Sequence, residues 1–137
     1  MLQKLPIQAN TSDTVERFLL DLLSDHFDGD TATDESTLAV ASTDNSIWQV
    51  QPQAVISPRS HYAVEQVTKL LSEDSHRNIS LTARGGGTST AGQSLTNSVV
   101  LDCKRYMNSI LDFNQETNQV HVECGAVLQR INDELKQ

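Results

Sequence analysis

The chain has little of several things, and each scarcity removes a class of function. Ten Lys and Arg stand against 18 Asp and Glu, a formal charge of −8, and the basic residues form no stripe. That balance disfavours tracking a nucleic-acid backbone or lying on an anionic membrane. No apolar run approaches the roughly 20 residues needed to span a bilayer, and the opening MLQKLPIQANTSD lacks the apolar core of a secretory signal. The expected location is cytoplasmic, with at most a peripheral association with the inner membrane face. Cys103 and Cys124 are the only cysteines. Without CxxC spacing or a neighbouring histidine pair they give no zinc site, so both are expected as buried or partly buried free thiols. His26, His61, His76 and His121 are scattered and read as structural or surface residues.

Glycine is scarce too, with six residues in 137, yet four of the six lie within residues 84–94. The length suits one ordinary domain, or part of a larger one, and is small for a complete two-substrate enzyme.

Hydrophobic periodicity places the other elements. Asp13 and Glu16 fit a capping box before Val15, Phe18, Leu19, Leu22 and Leu23, predicting a helix over 13–24. The acidic stretch from Asp25 to Glu35 does not reproduce the ligand order of an EF-hand and is read as a solvated loop. Residues 53–83 form a β-α-β pattern. Ala54-Val55-Ile56 closes at Ser57-Pro58, Ser60 caps a helix carrying Val64, Val67, Leu70 and Leu71, and Ile79 to Ala83 forms a second strand. Val99-Val100-Leu101 suits a buried strand. Ser109 to Phe113 and Gln119 to Glu123 form a hairpin around a turn at 114–118, and Val127, Leu128, Ile131 and Leu135 begin a last helix. That helix has no visible stop, so the chain is expected to be the first part of a longer one.

The second strand runs into Arg84-Gly85-Gly86-Gly87-Thr88-Ser89-Thr90-Ala91-Gly92-Gln93-Ser94. Consecutive residues without a Cβ let a ligand lie against bare backbone, and successive N–H groups can converge on an anion. Two common phosphate motifs fail here. Gly87-x4-Gly92-Gln93-Ser94 has glutamine where a P-loop needs lysine, and Gly85-x-Gly87-x-x-Thr90 misses the third glycine of the dinucleotide fingerprint. What remains is a loop rich in backbone donors and hydroxyls, open to two readings: a diphosphate cradle or a mobile Gly/Ser surface turn.

Taken with their neighbours, these residues resemble the FAD-linked oxidases and dehydrogenases that carry a flavin domain of the vanillyl-alcohol-oxidase type. Ala83 to Ser89 and Ala91 to Ser94 are similar to that family's pyrophosphate loop. Thr43-Asp44-Asn45-Ser46, Pro52 to Pro58, the Val64/Val67 helix, Val99 to Asp102 and Val120 to Ala126 follow in the family's order. Within the family the chain is most similar to the D-lactate and D-2-hydroxyglutarate dehydrogenase branch, especially large bacterial members that join flavin and iron–sulphur modules.

The resemblance implies an α+β fold of the p-cresol methylhydroxylase type. Its divisions would be an N-terminal helix and acidic loop at 1–40, a first FAD-binding subdomain at 41–106 and the start of a second at 107–137. It implies that Gly85, Gly86, Gly87, Thr88 and Ser89 contact the FAD diphosphate, continued by Gly92, Gln93 and Ser94. Pro58 matches a position near the adenine end, and Arg84 is open between the phosphate and a structural ion pair. The implied reaction is oxidation of a 2-hydroxy acid, with hydride passing to the flavin. No catalytic residue, covalent flavin attachment site or iron–sulphur cysteine cluster is expected in this chain, and its exposed second subdomain could self-associate around Val120 and Ile131. The alternative expectation is a stand-alone, non-catalytic nucleotide-binding or protein-interaction module.

Overall fold

In the computed structural model, residues 3–4 and 12–136 are described. In chain order the elements are β1 (Gln3–Lys4), α1 (Ser12–Ser24), β2 (Gly29–Ala32), α2 (Glu35–Ala41), β3 (Trp48–Gln49), β4 (Ala54–Pro58) and α3 (His61–Leu71). A 3-10 turn at Asp74–His76 leads to β5 (Leu81–Arg84), β6 (Val99–Asp102), β7 (Ile110–Asn114), β8 (Gln119–Val122) and α4 (Leu128–Leu135). The central sheet has the order β2-β4-β6-β5. Its last three strands are mutually parallel, and β2 is antiparallel to β4.

Both faces of this sheet are covered, which explains why Ala54 to Ile56 of β4 and Val99 to Leu101 of β6 are apolar without alternation. Ala54, Ile56, Val99 and Leu101 face α1 and α3, where Phe18, Leu22, Ala63 and Val67 complete the larger core. Val55 and Val100, one residue out of phase, face Leu38 and Ala41 of α2. Alternation along each strand thus feeds two layers from one sequence.

The helix starts follow local chemistry. Ser60 accepts the Ala63 N–H at the head of α3, as its spacing predicts. Asp34 does the same for Thr37 in α2, and hydrogen bonds from Ser36 and Thr37 hold its carboxyl down at about 2. Asp13 lies inside the first turn of α1, not before it, because the helix already begins at Ser12.

The acidic stretch is not a loop. Gly29 to Ala32 pairs with Val55 to Pro58, and Glu35 opens α2, so residues 1–40 and 41–106 contribute to one sheet. Asp30 is accommodated at this edge because Arg59, Arg105 and the Tyr106 hydroxyl converge on its carboxylate. Pairing with β4 outweighs the poor strand propensity of Gly29 and Asp30.

The hairpin of β7 and β8 stands outside the central sheet. Asn114 accepts the N–H groups of Glu116 and Thr117, and Asn118 takes the left-handed conformation that completes the turn. In α4 only Ile131 is buried, while Leu128, Leu135 and the preceding Val127 are exposed. Cys103 is buried as expected, but Cys124 is exposed, since it lies in the turn after β8 and not within the strand.

Candidate functional site

The glycine loop leaves the carboxyl end of β5, where open α/β sheets bind ligands. Its four glycines answer to different constraints. Gly87 has φ +66°, and a Cβ there would overlap the Arg84 guanidinium. Gly92 has φ +81° and faces Trp48. Both therefore have reasons internal to the chain to be glycine. Gly85 and Gly86 have none: neither has a positive φ, a Cβ on Gly85 would meet nothing within 4 Å, and one on Gly86 would meet only Thr88 Cγ2 at 3.5 Å. Together with exposed Thr88 they form bare backbone facing open space.

Arg84 does not point into that space. Its Nη2 donates to the Thr43 carbonyl at 2.7 Å and its Nη1 to that of Ala41 at 3.3 Å. A cation at the Ala41 carbonyl, the last of α2, complements the negative end of the helix dipole. The sequence left Arg84 between a phosphate contact and an ion pair, and the structure gives it backbone carbonyls instead.

The Thr43 to Ser46 turn is a frame for the loop. Asp44 accepts the hydroxyl of Ser89, the hydroxyl of Ser94 at 3.2 Å and the Ser46 N–H at 2.8 Å. Ser89 Oγ in turn receives the Ser94 N–H at 3.3 Å, and the Asn45 N–H donates to the Ser89 carbonyl at 3.0 Å. Burial acts to raise the Asp44 carboxyl, but the hydrogen bonds from Ser46, Ser89 and Ser94 outweigh it and hold the group down at about 2. Asp44 is thus an anion at neutral pH that draws two serine hydroxyls inward.

Of the other predicted positions, Ser89 and Ser94 belong to this frame. Ser94 is buried within the cluster, and Ser89 is half-buried beside it. Gln93 is exposed and accepts the Ala91 N–H through Oε1 at 3.2 Å, stiffening the turn before Gly92. Pro58 is buried at the end of β4, opposite Gly29 and beyond the last residue paired with β6, where a missing N–H costs the ladder nothing. Beyond the loop, Trp48, Val50, Ala91, Gly92, Leu95, Thr96 and Asn97 line an open groove of mixed polarity.

From the sequence alone Thr43 to Ser46 has no task of its own. Its signal was a carboxylate between small polar residues, but its partners lie up to 50 positions away. Among the described residues, no group of three or more His, Cys, Asp or Glu side chains is placed to hold a metal ion.

A family model described as an FAD binding domain matches residues 52–137. The D-2-hydroxyglutarate dehydrogenase of Haemophilus influenzae is 39% identical over 131 residues, covering 93% of this chain and 13% of that protein. Its Escherichia coli counterpart is 40% identical over 122 residues, covering 89% and 12%. The chain therefore spans about an eighth of these relatives' length. Among solved structures, p-cresol methylhydroxylase superposes with a TM-score of 0.70 at 20% identity, over 94% of this chain and 25% of that one. The bare glycine backbone, the strand that presents it and these matches lead to one conclusion: the chain belongs to the FAD-binding domain family, with an α+β fold of the p-cresol methylhydroxylase type.

Proposed function

We propose that this chain holds the diphosphate of FAD in a flavin-dependent dehydrogenase that oxidises a 2-hydroxy acid of the D-2-hydroxyglutarate type. The observation that carries the cofactor reading is the pair Gly85 and Gly86, whose missing side chains serve nothing inside the chain. A Cβ on either would occupy the space a ligand needs to reach the backbone. The N–H groups of this loop and the Thr88 hydroxyl would hold the diphosphate oxygens, with polar donors in place of the lysine of a P-loop.

Arg84 and Asp44 would shape the cradle from beneath, without touching the cofactor. The Ser89 and Ser94 hydroxyls are already engaged with Asp44, so the loop's contribution falls chiefly to its backbone. FAD, when bound, would supply the two-electron acceptor for the alcohol of the substrate. The substrate reading rests on the D-2-hydroxyglutarate dehydrogenases, of which this chain spans about an eighth, and on that reading the groups that bind and deprotonate the hydroxy acid would lie outside these residues. An iron–sulphur module in the same protein would be a further expectation of that branch.

The test is titration of FAD with the purified chain, followed by flavin fluorescence. Saturable quenching that is lost in Gly86→Asp supports the reading, because the new carboxylate fills the cradle and repels the diphosphate. The site has room for that side chain, so folding should survive. Identical titrations for the two proteins would sink it. For the substrate, anaerobic addition of D-2-hydroxyglutarate to the flavin-loaded full-length protein should bleach the flavin absorbance, and bleaching by D-lactate alone would reassign it.

A further inference from the structure

The only two cysteines of the chain meet in the fold, although 20 residues separate them in the sequence and no part of the flavin cradle uses them. Cys103 follows β6 directly, at the end of the central sheet, and Cys124 follows β8, at the end of the hairpin. Two turns dock here. The Met107 N–H donates to the Cys103 carbonyl at 3.1 Å, and the Gly125 N–H donates to the Met107 carbonyl at 2.8 Å. Gly125 packs so closely on Cys103 that a Cβ would overlap the Cys103 carbonyl. Cys124, the residue before Gly125, is thereby brought beside Cys103, whose Sγ donates to the Leu101 carbonyl at 3.9 Å.

We propose that Cys103 and Cys124 form a reversible intramolecular disulfide that fastens the hairpin to the central sheet. The pair is asymmetric. Cys103 is buried, and burial first, then the neighbouring Cys124 thiol and the charge of Asp102, push its thiol up to about 12. It stays protonated and shielded at neutral pH. Cys124 is exposed and is the thiol that meets an oxidant.

With a hydroperoxide as oxidant the electrons balance. The Cys124 sulfur attacks the peroxide, its O–O bond breaks, a sulfenic acid forms and water or an alcohol leaves. The Cys103 sulfur then attacks the Cys124 sulfur, an S–S bond forms, and the sulfenic oxygen leaves as water with the Cys103 proton. Two thiols have lost two electrons and two protons, and one peroxide has been reduced. A dithiol reductant reverses the bond by exchange. In a reducing compartment the thiol form prevails, so the bond records an oxidising episode. Because it ties residue 103 to residue 124, it restricts separation of the hairpin and α4 from the sheet.

The experiment treats the reduced chain with hydrogen peroxide, then denatures it, alkylates free thiols and measures the intact mass. The expected product is a monomer that has lost two hydrogens, carries no alkyl group and yields a non-reducing peptide joining Cys103 to Cys124. Its melting temperature should rise by several degrees and return on adding dithiothreitol. In Cys103→Ser, oxidation should stop at a Cys124 sulfenic acid or an intermolecular disulfide. The proposal is overturned if the wild-type protein keeps an alkylatable Cys103 while Cys124 proceeds to sulfinic acid or joins two chains. The wild-type mass alone decides this, so the result does not depend on a variant folding.

Discussion

The carboxylate of Asp44 accepts the hydroxyl of Ser89 across 45 residues of sequence, joining the turn after α2 to the loop after β5. A single anion thereby fixes the glycine loop at Ser89 and Ser94 while leaving Gly85 and Gly86 open. Replacing it by alanine leaves two hydroxyls and the Ser46 N–H without their acceptor. Asp44→Ala should weaken FAD binding by roughly tenfold or more, since hydrogen bonds to a charged group contribute about 1.5–3 kcal/mol each. Hydrogen exchange should quicken at residues 85–94 even without FAD. Slow exchange there in the variant would show that the loop is ordered by something else.

Acid should loosen the same frame. Asp44 and Asp34 are both held at about 2, below the ordinary carboxylate value, so each favours the folded state above the unfolded pKa of about 3.9. That contribution is complete near pH 5 and is lost as pH falls through 4 towards 2. Denaturant unfolding measured over this window should show stability decreasing with acid, and the slope should diminish in Asp44→Asn. An unchanged slope would place the linkage on other carboxylates.

Gly85→Ala and Gly87→Ala should separate binding from folding. Alanine at 85 meets no atom within 4 Å, so the unfolding midpoint should hardly move while FAD binding weakens. Alanine at 87 is strained at φ +66° and strikes Arg84, so it should cost roughly 1–2 kcal/mol of stability before any ligand is added. Equal destabilisation by both would remove the distinction between ligand-facing and chain-facing glycines.

Arg84→Ala should destabilise the chain by about 1.5–3 kcal/mol, because the carbonyls of Ala41 and Thr43 lose a charged donor. Lysine should recover only part of this, since one ammonium cannot reproduce the two-carbonyl fork. Urea denaturation checks the stability, and the salt dependence of FAD titration checks the role. A wild-type salt slope that vanishes in Arg84→Ala would mean that the guanidinium reaches the phosphate after all.

Elements built from contiguous residues were legible in the sequence. Val64, Val67, Leu70 and Leu71 recur at helical spacing, Val99 to Leu101 is apolar throughout because both its faces are buried, and Asn114 and Asn118 carry their own turn chemistry. The glycine run likewise announced a backbone meant for close approach, since only local sequence sets where Cβ atoms are missing. Other assignments required the chain to fold back on itself. Gly29-Asp30-Thr31-Ala32 has no strand character until Pro58, Ser57, Ile56 and Val55 lie beside it. Arg84, Asp44 and Cys103 have neighbours that local pattern cannot supply, because hydrogen bonds and packing depend on distances in space. The sequence determined where a ligand could touch bare backbone, while the tertiary structure decided which side chains hold that backbone in place.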